Sequence, residues 1–392
     1  MKIIIQKFGG TSLQDDASRL MVIGKIKNAI EIGYNPVIVV SALGRKGDPY
    51  ATDTLLENAK KYHIDISERD KDMLLACGEV ISAVIISQML IAEGIKSIAL
   101  NGSQAGIITD NSFGNACVKK VYPNNILKYL DEGKVPVIAG FQGITEDLQI
   151  TTLGRGGSDT TAAIIGATLN AERIEIYSDV NGLMTADPRI EENAVLIEKA
   201  SYSELVELAY KGAKVIHPSA VEIAQDAKIP LSLRSTFNNY KGTDVVEFKS
   251  NRPVTGVTGN SDIIQFVLLN NEDHSKTLQD LADFEVSLDM IDISPGKLSF
   301  LVSLRRKKIV EDYLLQNDIN YVINENLCKI SVVGSGMSGV PGVMAKISSA
   351  LQSNKIDIYK SMDSHTAISC LIEQRYEKEA IKVLHKKFNL ES

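Results

Sequence analysis

The sequence predicts an α/β fold with a mostly parallel sheet, followed by two copies of a smaller ferredoxin-like α+β unit. Three observations predict it. Strand-like and helix-like periodicities alternate over the first ~245 residues. The strand-like runs end in small or glycine-rich loops. The remainder repeats itself: "EVSLDMIDISPGKLSFLVSL" (285–304) matches "KIDIYKSMDSHTAISCLIEQ" (355–374) at an offset of 70 residues.

The elements follow in order. "KIIIQKFGG" reads as a buried strand running into a glycine turn, and "DASRLMVIGKIKNAIEIG" as a helix ending at Gly33. "NPVIVVSALG" is a strand into a loop, and "LLACGEVISAVIISQMLIAEG" a helix closed by Gly94. "KSIALNG", "VPVIAGFQG" and "RIEIYSDVNG" are further strands. "SYSELVELAYKGAKVIHP" is a helix that opens with a Ser201/Glu204 capping box and is stopped by Pro218. Residues 1–245 thus form one domain and 246–253 a polar linker. In the tail, Leu288 corresponds to Ile358, Leu298 to Ile368, Val310 to Ala380 and Leu314 to Leu384. Each unit reads strand, helix, strand, strand, helix, strand, with boundaries at 254–324 and 325–392.

Composition narrows the function. The 392 residues carry a formal net charge of −7, which argues against a general nucleic-acid binder. The one dense basic run, Arg305 to Lys308, reads as the solvated start of a surface helix. Four scattered cysteines, none in CxxC spacing, support neither zinc nor a dithiol and suggest a reducing, cytoplasmic setting. The apolar run 80–92 is too short to span a bilayer, so no membrane role is expected. No GxxxxGK[ST] loop occurs, and no GxGxxG follows the first strand, which weighs against a dinucleotide dehydrogenase.

Five stretches carry chemistry. In "KFGGTS", Gly9 and Gly10 allow close backbone approach and Lys7 can supply a charge to phosphates; a tight turn beside a surface lysine is the plainer reading. In "GRGGSD", Ser158 or Asp159 can cap the next helix, whose free amides with Gly156 and Gly157 form an anion nest, and Arg155 can grip a carboxylate. The loop "YSDVNGLMTADPR" can hold an adenine and its ribose, or simply be solvated. In "GAKVIHP", Lys214 lies near a helix end and His217 reads as structural. In "CGEVIS", Glu79 opens an apolar helix, where it either favours the helix dipole or meets a substrate ammonium group.

These pieces, in this order, resemble the monofunctional bacterial aspartokinases. "KFGGTS", "VSALG", "CGE", "TTLGRGGSDTTAA", "SDVNGLMTADPR" and "GAKVIHP" stand at family-like positions, and "VVGSGMSGVPGV" resembles the opening of the second of that family's paired ACT domains. The resemblance covers essentially the whole chain. It implies the amino-acid kinase fold with two C-terminal ACT domains. It implies ATP-dependent phosphorylation of the L-aspartate side chain, with Mg²⁺ carried by ATP, and feedback by lysine, threonine or diaminopimelate. A homodimer through the ACT domains, or a higher assembly built on it, is also implied. Carried over residue by residue, Lys7 neutralises phosphate charge while Gly9, Gly10 and Ser12 cradle phosphates. Glu79 holds the substrate amino group and Arg155 its α-carboxylate, with Ser41 and Thr52 lining the site. Ser178, Asp179, Asp187, Arg189 and Lys214 serve the nucleotide, and Met184 stands where many members have a tyrosine. An aspartate carboxylate is already ionised at pH 7, so no general base is needed. Asp159 is therefore expected to organise Lys7 or Lys214, or to stand on the metal side, rather than to accept a proton. Candidate effector contacts are Asp289, Asp292, Asp357 and Asp363, each of which is otherwise a solvated surface carboxylate.

Overall fold

A computed structural model describes residues 1–213, 215–248, 252–269, 273–337 and 339–391. The chain divides into two compact units. One comprises residues 1–183 and 196–209 with the described part of 214–249; the other comprises 184–195 and 210–213 with the described part of 250–392.

The first unit contains β1 (Ile3–Phe8), α1 (Asp16–Glu31), β2 (Asn35–Val40), α2 (Thr52–Lys60), α3 (Glu68–Ala92), β3 (Ser97–Leu100), β4 (Ile107–Thr109), β5 (Val118–Val121), α4 (Asn124–Asp131), β6 (Val135–Ala139), β7 (Gln142–Ile144), β8 (Ile150–Thr152), α5 (Gly157–Thr168), β9 (Arg173–Ser178), β10 (Lys199–Ala200), α6 (Tyr202–Lys211, whose last two residues fall in the second unit), α7 (Pro218–Asp226), β11 (Leu231–Ser235) and β12 (Thr243–Val245). The main sheet runs β10-β12-β11-β9-β1-β2-β6-β3 and is parallel except where β12 meets β11. β1 is buried along its whole length because the sheet is covered on both faces, hence its continuous "IIIQKF". Gln6, the polar exception, donates from Nε2 to Glu175 at 3.0 Å, and Glu175 also accepts from the Tyr177 hydroxyl and pairs with Arg234. From β1 the chain builds β2, β3 and β6 on one side, then returns to place β9 on the other. That reversal opens a crevice at the carboxyl ends of β1 and β2. A small sheet, β5-β4-β7-β8, delivers the "GRGGSD" loop from the end of β8.

Two helix boundaries differ from the sequence reading. Pro218 does not stop a helix; it occupies the first turn of α7, with His217 as the N-cap, because a proline lacking N–H suits that position. Helix α3 begins at Glu68 behind a Ser67 cap, so Glu79 lies mid-helix and cannot act on a helix terminus. At 25 residues α3 is long and apolar enough to cross a membrane by length and composition, yet it carries buried Asp72 and Glu79 and packs Ile86 and Leu90 into the core beneath β6.

The second unit holds two ferredoxin-like lobes. The elements are β13 (Gly256–Asn260), β14 (Ile263–Leu269), α8 (His274–Asp283), β15 (Asp289–Ser294), β16 (Lys297–Ser303), α9 (Lys307–Gln316), β17 (Tyr321–Asn324), β18 (Leu327–Val333), α10 (Val343–Ser353), β19 (Lys360–Asp363), β20 (Ala367–Glu373) and α11 (Glu377–Lys387). The first lobe is contiguous, with sheet order β15-β16-β14-β17. The second has order β19-β20-β18-β13, so its fourth strand comes from before the first lobe. This corrects the boundaries drawn at 254–324 and 325–392. Among the described residues no strand follows α11 in the second repeat, and β13 fills the place that β17 takes in the first.

Candidate functional site

A cavity of about 550 Å³ sits at the carboxyl ends of β1 and β2. Ten of the residues singled out in the sequence line it: Lys7, Gly10, Ser41, Thr52, Glu79, Arg155, Gly156, Gly157, Ser158 and Asp159. They reach it from four directions: the end of β1, the loop after β2, the middle of α3, and the start of α5.

Lys7, 9% exposed, is the penultimate residue of β1. Its Nζ lies 2.6 Å from Asp159 Oδ1, and Asp159 Oδ2 accepts from the His217 N–H at 3.3 Å. Asp159 thus holds the lysine in place. Neither Ser158 nor Asp159 caps α5, as the sequence reading had it. The N-cap is Gly156, in the left-handed region at φ +72, where a Cβ would stand 2.3 Å from the His217 side chain. Of the first-turn amides of α5, that of Gly157 donates to the Gly154 carbonyl at 3.1 Å, while Ser158 and Asp159 follow it along the cavity wall. Gly10 meets the loop after β2 so closely that a Cβ would sit 2.5 Å from the Gly44 carbonyl oxygen.

Glu79 is the most perturbed group of the cavity. It is 3% exposed, Oε1 accepts from the Ala42 N–H at 3.1 Å, and Oε2 has no partner among the described residues. Burial pushes its carboxyl up to about 8, against the lowering effect of backbone hydrogen bonds. A buried carboxylate with an open oxygen is a receptor for a cation. Arg155 is exposed at the rim, where its guanidinium can fork onto a carboxylate.

Other expected residues stand elsewhere. Ser12 Oγ is buried 2.7 Å from Thr236 Oγ1, a contact that braces the turn. Gly9 donates its N–H to the Tyr177 carbonyl. Ser178 Oγ accepts from the Val180 N–H, and exposed Asp179 pairs with Arg45. Met184, Asp187 and Arg189 belong to the second unit, where Arg189 Nη2 lies 2.6 Å from Asp187 Oδ2. Lys214 lies outside the described residues. Asp357 and Asp363 are exposed, whereas Asp289 pairs with Lys329 and Asp292 lies 3.6 Å from Lys360 Nζ.

Asp72 was missed by sequence reasoning. It is fully buried on α3 and lines the cavity. Its carboxylate accepts from the Thr152 N–H (2.8 Å), the Thr152 hydroxyl (2.6 Å) and the Gly114 N–H (2.9 Å), tying the end of β8 to the helix that carries Glu79. Only its seven-residue spacing from Glu79, two turns along one helix face, could have signalled it.

The pattern of the amino acid kinase family matches residues 2–235, and that of the ACT domain matches residues 322–386. Fold and cavity together therefore define an amino acid kinase with an ACT-containing tail. Aspartokinase 1 of Bacillus subtilis (strain 168) is 43% identical over 402 residues, covering 100% of both chains. The aspartokinase of Geobacillus stearothermophilus is 37% identical over 407 residues, covering 100% of this chain and 98% of the relative. The crystal structure of E. coli aspartokinase III with aspartate and ADP superposes with a TM-score of 0.85 at 22% identity, covering 98% of this chain and 99% of that one. The chain belongs to the aspartokinase family. Its reaction is ATP-dependent phosphorylation of the L-aspartate side-chain carboxylate to 4-phospho-L-aspartate, the first step towards lysine, threonine, methionine and diaminopimelate, with feedback through the ACT tail.

Proposed function

We propose that the cavity seats L-aspartate with its ammonium group on Glu79 and its α-carboxylate on Arg155, so that the β-carboxylate faces phosphates held near Lys7. The observation that carries this is Glu79: a buried carboxyl, one oxygen unpartnered among the described residues, at a cavity whose charged wall is Lys7 with Asp159. Both reactants are anions, so the task is positioning and charge neutralisation, not proton transfer. Lys7 supplies a fixed positive charge, the backbone around Gly10 borders the phosphates, and the Ser158 and Asp159 amides at the start of α5 add oriented donors. Ser41 and Thr52 complete the wall. Asp159 keeps Lys7 extended.

When carried in by ATP, Mg²⁺ would supply further charge neutralisation at the phosphate oxygens. Asp159, the carboxylate on the cavity wall nearest Lys7, is the group that would stand on the metal side. Ser178, Asp179, Met184, Asp187, Arg189 and Lys214 are assigned to the nucleotide. The two lobes take a feedback amino acid (lysine, threonine or diaminopimelate) and join two subunits into a homodimer in the cytoplasm. Exposed Asp357 and Asp363 are the acidic candidates left open to that effector.

An assay of ADP release with aspartate, with glutamate and with no acceptor tests the acceptor assignment. Turnover is expected with aspartate alone. Arg155→Ala is expected to raise the aspartate KM about 10- to 100-fold, the loss of one charge-assisted fork, with the ATP KM held within twofold. An unchanged aspartate KM would remove Arg155 from the site.

A further inference from the structure

The loop that carries Asp187 and Arg189 is built into the core of the second ferredoxin-like lobe. Its ends meet at Thr185: the Thr185 N–H donates to the Val195 carbonyl at 3.0 Å, and the Val195 N–H donates to Thr185 Oγ1 at 3.0 Å. The Thr185 carbonyl accepts from the Val257 N–H at 2.8 Å, which fixes the loop to β13 at the edge of that lobe's sheet. Ala186 is buried in the same apolar cluster as Ile330, Val332, Ile381 and Leu384, with Ile190 and Ala194 packed against it. The fourth tie is polar: Thr185 Oγ1 lies 2.9 Å from His385 Nε2 on α11, and both side chains are buried. Two residues beyond this anchor, the Asp187 carbonyl accepts from the Ile190 and Glu191 N–H groups at 2.9 Å each, and the Asp187 carboxylate takes Arg189. Every polar atom of Thr185 is therefore used to hold the base of a short, closed loop whose tip presents Asp187 and Arg189.

We infer that the Thr185–His385 hydrogen bond is a positioning contact for ATP: through it, helix α11 of the C-terminal lobe sets where Asp187 and Arg189 stand. The inference rests on the assignment of those two residues to the nucleotide. Packing alone does not account for the contact. A valine would fill the space of Thr185, but the hydroxyl is what joins the loop's far end to the imidazole, and both buried partners would lose it together.

The test is steady-state kinetics on the full chain, with melting curves to establish that each variant is folded at the assay temperature. Thr185→Val and His385→Leu are expected to raise the ATP KM about 5- to 20-fold. The aspartate KM is expected to stay within twofold. Thr185→Ser, which keeps the hydroxyl, is expected to restore the wild-type ATP KM. If His385→Leu does not fold, the Thr185→Val and Thr185→Ser pair carries the comparison. Arg189→Ala runs beside them as the probe of the underlying assignment. A raised ATP KM in Arg189→Ala with an unchanged one in Thr185→Val overturns the positioning contact alone. An unchanged ATP KM in Arg189→Ala overturns the nucleotide assignment and the inference with it. Equal rises in both substrate KM values, or no rescue by serine, would show a merely structural contact and overturn the inference.

Discussion

Lysines and carboxylates meet below the surface in two regions, and they are finished in opposite ways. In the cavity at the ends of β1 and β2, Glu79 keeps one oxygen without a partner among the described residues, and Lys7 lines the wall beside Asp159. Between the two lobes, charges close on one another. Lys329, only 2% exposed, pairs with Asp289, and Lys360 Nζ donates to the Met290 carbonyl at 2.6 Å with Asp292 3.6 Å away. An unmatched buried polar atom costs about 1–3 kcal/mol, so it persists where a ligand completes it. A matched pair needs no ligand and is better explained as part of the assembly. The contrast separates Glu79 from Asp289 and Asp292, which the sequence presents as similar candidates for binding an amino acid.

The comparison breaks first, and most visibly, at Lys7. Lys7→Ala is expected to lower kcat at least 1,000-fold, as losses of preorganised charge at phosphoryl transfer do. A loss of less than tenfold in a quenched-flow or coupled assay would mean that the charge comes from elsewhere. Glu79→Gln comes next, with two effects of opposite sign. The aspartate KM should rise about 50-fold or more, while the ligand-free protein should become more stable. Glu79 holds its proton up to about pH 8 when folded but only to about 4.5 when unfolded. Across that window the unfolded state binds fewer protons, so the wild type loses stability as pH rises. Melting temperatures of Glu79→Gln and wild type should therefore diverge from pH 5 to pH 8, by the equivalent of a few kcal/mol at the top. Parallel curves would mean that Glu79 is not strained in the empty site.

The smallest effect falls in the lobes. Burial raises the Asp289 carboxyl, but attraction and hydrogen bonding from Lys329 outweigh it and leave the group below its ordinary value. Lys329→Met should cost roughly 1–3 kcal/mol, seen as a lower melting temperature, with kcat and both KM values in the absence of effector within twofold. A large catalytic defect would move this pair from assembly into function.

Much of this contrast was legible in the sequence, and the limits of legibility have physical causes. Glycines at strand ends marked Lys7 and the "GRGGSD" loop, because close backbone approach and left-handed turns demand glycine. The offset of 70 residues exposed the twin lobes, because each repeats the same largely buried central strand, β16 and β20. What stayed hidden depends on pairing across long separations. Ser12 finds Thr236 and β13 finds β18, and neither partner leaves a local trace. The charged first turns of α3, "ERDKDM", masked the true helix start, so Glu79 looked terminal and Asp72 drew no notice. Pro218 was ambiguous for a simpler reason: a proline ends one helix or begins the next, and its own sequence does not say which.

The central claim is that Glu79 waits protonated and ionises on meeting the substrate ammonium group. Isothermal titration of aspartate at pH 7, in two buffers of different ionisation enthalpy, counts the protons released. With a carboxyl near 8, about 0.9 proton per site should leave on binding, and the release should vanish in Glu79→Gln. Aspartate binding with no proton release in the wild type would contradict the account.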